Sequence, residues 1–80
     1  MIIDFSTMPQ EEKLAAAERA KVAFKVAMFE LLLRLNENPA TYDVSSLVVP
    51  SPDAVDYAIK RDLKEYSDGL VWIDNYIASL

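Results

Sequence analysis

Residues 10–36 read QEEKLAAAERAKVAFKVAMFELLLRLN, and the placing of apolar side chains along this stretch decides the fold. It contains neither proline nor glycine and is rich in Ala, Leu, Glu and Lys, the residue types that lose least on entering a helix. At about 100° of turn per residue, Ala17, Ala20, Phe24, Ala27, Met28, Leu31 and Leu35 fall on one side. Val22, Val26, Phe29 and Leu33, with Ala15 behind them, fall on nearly the opposite side. Two polar ridges separate these stripes: Lys21 and Lys25 on one flank, and Glu30, Arg34 and Glu37 on the other. A single neighbouring helix covers one side only, so the second apolar face must be buried against something else.

Working outward, Thr7, Pro9 and Gln10 supply a cap, an early proline and a capping-box partner, while Asn38-Pro39 is a stop signal. A first helix is predicted over 8–37. A second start lies at Ser51 as N-cap and Pro52 at the first helical position, with Asp53 and Asp56 near the positive end of the helix dipole. From there Ile59, Leu63, Tyr66, Leu70, Ile73, Ile77 and Leu80 recur at heptad spacing. The seam runs straight through Gly69. That glycine costs about 1 kcal/mol relative to alanine inside a helix, but the unbroken register predicts one continuous helix over 52–79. The apolar connection between the helices predicts a short extended segment at 46–49, and Ile2, Ile3 and Phe5 predict another at 2–5.

These elements predict an all-α fold, an antiparallel hairpin of two long helices forming a single domain over 1–80. The second helix carries one apolar stripe, which one neighbour can cover. The first carries two, so the expectation is a homodimer joined through Val22, Val26, Phe29 and Leu33 into a four-helix bundle. The competing arrangement folds the Ile2-Ile3-Phe5 and Leu47-Val48-Val49 segments over that face within one chain.

The 80-residue chain can bury only a modest core, and the absence of cysteine removes disulfides as a stabiliser. Without histidine, zinc, copper and haem are disfavoured. Thirteen acidic residues against eight basic ones give a net charge of −5, which disfavours direct binding to nucleic-acid phosphates. No uncharged apolar run approaches the roughly 20 residues of a membrane span, and a cytoplasmic protein is expected.

Nucleophilic catalysis lacks its usual activating partners in a chain without His or Cys. Glu11-Glu12 fits a helix N-terminus, and the spacing of Asp62, Glu65 and Asp68 lacks the loop of a calcium hand. No enzyme activity, cofactor or metal is expected. Lys60, Arg61 and Lys64 lie among Asp56, Asp62, Glu65 and Asp68, a pattern of mutual neutralisation on a solvated face. Trp72 and Tyr76 are of the types that dominate interface hot spots; with Glu65 and Asp68 they are the candidate partner-binding residues.

The expected function is therefore a small acidic protein-interaction module, acting on an unidentified protein as an adaptor, assembly factor or inhibitor. One alternative is a nucleic-acid mimic that blocks a basic groove, as virus-encoded inhibitors do, because the half over 41–80 carries seven acids against three bases. Another is a structural subunit of a larger assembly.

Overall fold

A computed structural model describes residues 8–80. The expected extended segment at 2–5 and the Thr7 cap lie outside the described residues. Two α-helices, α1 (Gln10–Arg34) and α2 (Tyr57–Ser79), pack side by side and antiparallel, with no strand among the described residues. The antiparallel register is visible in three cross-helix contacts. Gln10 Nε2 donates to the Leu80 carbonyl over 2.7 Å. Lys21 pairs with Asp74 at 2.7 Å. The Phe24 and Tyr66 rings meet edge to face with centroids 5.5 Å apart.

α1 is shorter at both ends than the predicted 8–37. Pro9 is itself the N-cap, with extended backbone, and its carbonyl accepts from the amides of Glu12 and Lys13 at 3.0 and 3.1 Å. At the other end the helix stops three residues before its predicted end, ahead of the Asn38-Pro39 signal. Asn36 takes a left-handed conformation, φ 59°, which asparagine tolerates better than most residues. The Glu37 amide then reaches back to the Leu32 carbonyl and the Asn36 amide to that of Leu33, both over 3.0 Å. This is the paired-bond ending that satisfies otherwise orphaned helix carbonyls.

The start of α2 is a larger correction, since the helix begins at Tyr57 and not at Pro52. Residues 52–56 instead form consecutive turns, in which the Ala54 amide donates to Ser51 and the Tyr57 amide to Ala54, at 2.9 and 3.1 Å. The Ser51 hydroxyl is spent on the Asp53 carboxylate at 2.5 Å and caps no helix amide. Helices in proteins are held mainly by burying an apolar face. The first large apolar residue on this stretch, Val55, is fully exposed, whereas Ile59, in the first turn of α2, reaches the core.

α2 then runs without a break through Gly69. A Cβ at this position would lie 2.5 Å from Cε2 of Phe24, so the glycine makes room for that ring of α1. Its cost in helix propensity is exchanged for that approach.

The connection is held by Asp43, whose carboxylate accepts from the Ser45 amide at 3.0 Å and the Ser45 hydroxyl at 2.6 Å. A single 3-10 turn, Val44–Ser46, follows, and Leu47 is extended. The expected extended segment at 46–49 therefore loses Ser46 to this turn, and 47–49 form no strand. Tyr42, Val44 and Leu47 pack on a cluster formed by Met28, Leu31, Leu32 and the fully buried Leu63. This cluster fills the closed end of the hairpin. Toward the open end the buried residues are Ala17 and Ile73, which sit together between the helices.

Candidate functional site

The four residues predicted as a self-association face are not covered by any other of the described residues. Val22, Val26, Phe29 and Leu33 are each between 53% and 61% exposed. Successive residues along α1 therefore alternate sharply in environment, with Met28 and Leu31 buried between exposed Val26, Phe29 and Leu33. The apolar side chains of α1 point to opposite sides and nearly cancel in direction, whereas those of α2 add. The outer face of α1 is a shallow groove whose floor is these four residues and whose walls are Lys25 and Glu30. The Leu47-Val48-Val49 segment does not cover it: Leu47 turns to the core and Val48 is exposed.

A second apolar surface lies on the flank of the hairpin at its open end. Trp72 is 70% exposed and Tyr76 41%. With Met8, Ala16, Ala20 and Ile73 they line a cleft of about 400 Å³. The cleft exists because α1 presents alanines here. Side chains that end at Cβ leave the indole and phenol standing over open space.

The acidic members of the predicted partner site are placed differently. Asp68 is engaged by Lys64 of its own helix at 2.6 Å, and Glu65 is exposed. Both lie toward the closed end from Trp72 on α2, and neither lines the cleft. Trp72 and Tyr76 are thus brought together with α1 alanines, while Glu65 and Asp68 stand apart. Tyr57 lies under Arg61, whose guanidinium carbon is 5.5 Å from its ring centroid, and it belongs to neither surface.

No family model, curated protein or solved structure matches the chain.

Four ion pairs form within the hairpin among the described residues, none of them at Lys25 or Glu30. Lys60 meets Asp56 at 2.7 Å and Arg61 meets Asp62 at 3.1 Å. The hydrogen bond from Lys60 holds the Asp56 carboxyl below its ordinary pKa, and the Ser51 hydroxyl does the same for Asp53. Lys21 is raised, chiefly by its hydrogen bond to Asp74. No cluster of three metal-ligating side chains occurs among the described residues. None of their helices is long and apolar enough to cross a membrane.

Two features escaped the sequence. Leu32 is buried although it stands at the margin of the core stripe, because Tyr42, Val44 and Leu47 of the connection fold over that side. The apolar run at 47–49 was the available signal. The alanine-floored cleft had a signal too: Ala16, Ala20, Ala23 and Ala27 recur along one flank of α1. Pairing those alanines with Trp72 required the helix register.

Proposed function

We propose that the chain is a small non-enzymatic protein-interaction module that works in the cytoplasm as a homodimer, joined through Val22, Val26, Phe29 and Leu33. The observation that carries this proposal is the exposure of four large apolar side chains in one unbroken stripe on α1. Single exposed apolar residues are ordinary, but a contiguous stripe rimmed by charge is the mark of an interaction surface. Only six apolar residues are buried among those described. A second copy would add core to a chain of a size that commonly needs such help. Because the two apolar faces of α1 are opposed, the four helices of the dimer stand in the order α2, α1, α1, α2.

The Trp72–Tyr76 cleft stays outside this dimer and is the proposed seat of a different protein, with Trp72 as its anchor. The alternative of nucleic-acid mimicry is weakened by the pairing of Asp56, Asp62, Asp68 and Asp74 with lysine or arginine. A structural subunit would use the same two surfaces, and no particular observation favours it.

Sedimentation equilibrium tests the proposal directly. A mass of twice 9.0 kDa is expected for the unaltered chain and 9.0 kDa for Phe29→Glu. A monomeric unaltered chain, or a dimer indifferent to Phe29→Glu, would overturn it. Dimerisation should survive high salt, since apolar burial is not screened.

A further inference from the structure

Resting on the homodimer proposed above, we infer that the second copy lies parallel to the first, with Lys25 of each chain paired to Glu30 of the other. Val22, Val26, Phe29 and Leu33 recur at the spacing of a coiled-coil seam, which places them at successive d, a, d and a positions. These four residues alone accept either direction. In parallel each meets its own copy. In antiparallel, a two-fold axis between Ala27 and Met28 sets Val26 against Phe29 and Val22 against Leu33, which is equally apolar.

The groove walls decide between the two. Lys25 is the g residue that flanks Val26, and Glu30 is the e residue that flanks Phe29. They stand on opposite sides of the seam, five residues or about 140° apart, so they cannot meet within one helix. Both are exposed, and neither forms an ion pair among the described residues. Arg34, one turn beyond Glu30, is turned farther from the seam, and Lys21 is engaged by Asp74.

In a parallel pair of helices, each g residue faces the e residue five positions later on its partner, and such pairs set orientation. Here that matches Lys25 with Glu30 twice, once on each side of the seam. In an antiparallel pair g faces g and e faces e. That leaves Lys25 facing only the partner's g row and Glu30 only its e row, so neither meets an opposite charge and the nearest charge to each is its own copy, about 7.5 Å along the axis. Arg19, one turn before Val22, bounds the seam, so the contact runs from Val22 to Leu33.

The chain has no cysteine, so one introduced thiol reports orientation cleanly. In the parallel dimer the two copies of position 22 face each other at d. In the antiparallel register they are eleven residues apart along the axis, about 16 Å, beyond the roughly 7 Å a disulfide spans between Cα atoms. Val22→Cys is therefore expected to give a covalent dimer on mild oxidation. Lys25→Glu or Glu30→Lys alone should raise the dimer dissociation constant about ten-fold, and the two together should restore it. Circular dichroism of each variant separates this from loss of the helices. A dimer by sedimentation that Val22→Cys fails to lock, and that single charge reversals leave unchanged, would overturn the parallel arrangement while leaving the homodimer standing. A monomeric unaltered chain would overturn both.

Discussion

Leu31 and Leu33 sit two positions apart on α1, one 9% and the other 55% exposed. The same contrast holds along the helix between the inner row of Met28 and Leu31 and the outer row of Val26 and Phe29. Both rows are apolar, so apolar character alone does not distinguish them. What differs is the supply of partners. α2 and the connection are consumed by the inner row, and nothing among the described residues reaches the outer one. Apolar content marks which surfaces seek burial; the tertiary fold determines which of them obtain it.

The strongest way to break this contrast is truncation on each side. Leu63→Ala empties the centre of the inner cluster and should cost about 3 kcal/mol of unfolding free energy in urea melts, from lost transfer energy plus the cavity left behind. Phe29→Ala, measured at concentrations where the chain is monomeric, should change stability by less than about 0.5 kcal/mol. Equal losses would mean that the outer face is covered within one chain.

Gly69→Ala sharpens the account of how closely the inner faces meet. Alanine gains about 1 kcal/mol in helix propensity, but its Cβ would meet the Phe24 ring, an overpacking that costs about 1–3 kcal/mol. A net loss of about 1 kcal/mol is expected by thermal unfolding. Combining it with Phe24→Leu should give a non-additive recovery, because the two sites touch.

Trp72→Ala should leave the melting temperature and the dimer almost unchanged, because the indole is mostly exposed. Its effect is expected in capture of a different partner. A large fall in stability would make Trp72 part of the core.

The smallest effects come from charge. Asp53 and Asp56 have folded pKa values below the ordinary 3.8, so their stabilisation is present above that value and is lost as pH falls through the folded values. Lys21 lies above the ordinary 10.5; its contribution is present below 10.5 and is lost as pH rises through the folded value. With no histidine in the chain, melting temperature should be flat from roughly pH 5 to 9. A step within that window would require a titrating group that these contacts do not account for.

Most of the fold was legible because it rests on local rules. Helix-forming composition, two opposed stripes on the first helix and one seam on the second are each visible without knowing the partner element. The seam also carried the correct reading of Gly69. The ends were less legible because several signals competed. Ser51-Pro52 has the form of a helix start, yet the backbone makes isolated turns until Ile59 can reach the core. Asn36 ends α1 ahead of Asn38-Pro39, since a left-handed asparagine closes the helix carbonyls sooner. Within the candidate partner site, Trp72 and Tyr76 could be named from residue type. Their separation from Glu65 and Asp68, and the alanine floor beneath them, followed from how α1 lies against α2.

By itself, then, the sequence determined two helices, their apolar faces and the excess of one face over what a hairpin can cover, because periodicity is a property of each helix alone. Only the tertiary structure decided which face the single available neighbour takes, why Gly69 lies opposite Phe24, and that the connection turns Leu47 inward onto the core. Those outcomes depend on the register between elements distant in sequence, and register is set by the mutual fit of side chains that no local pattern contains.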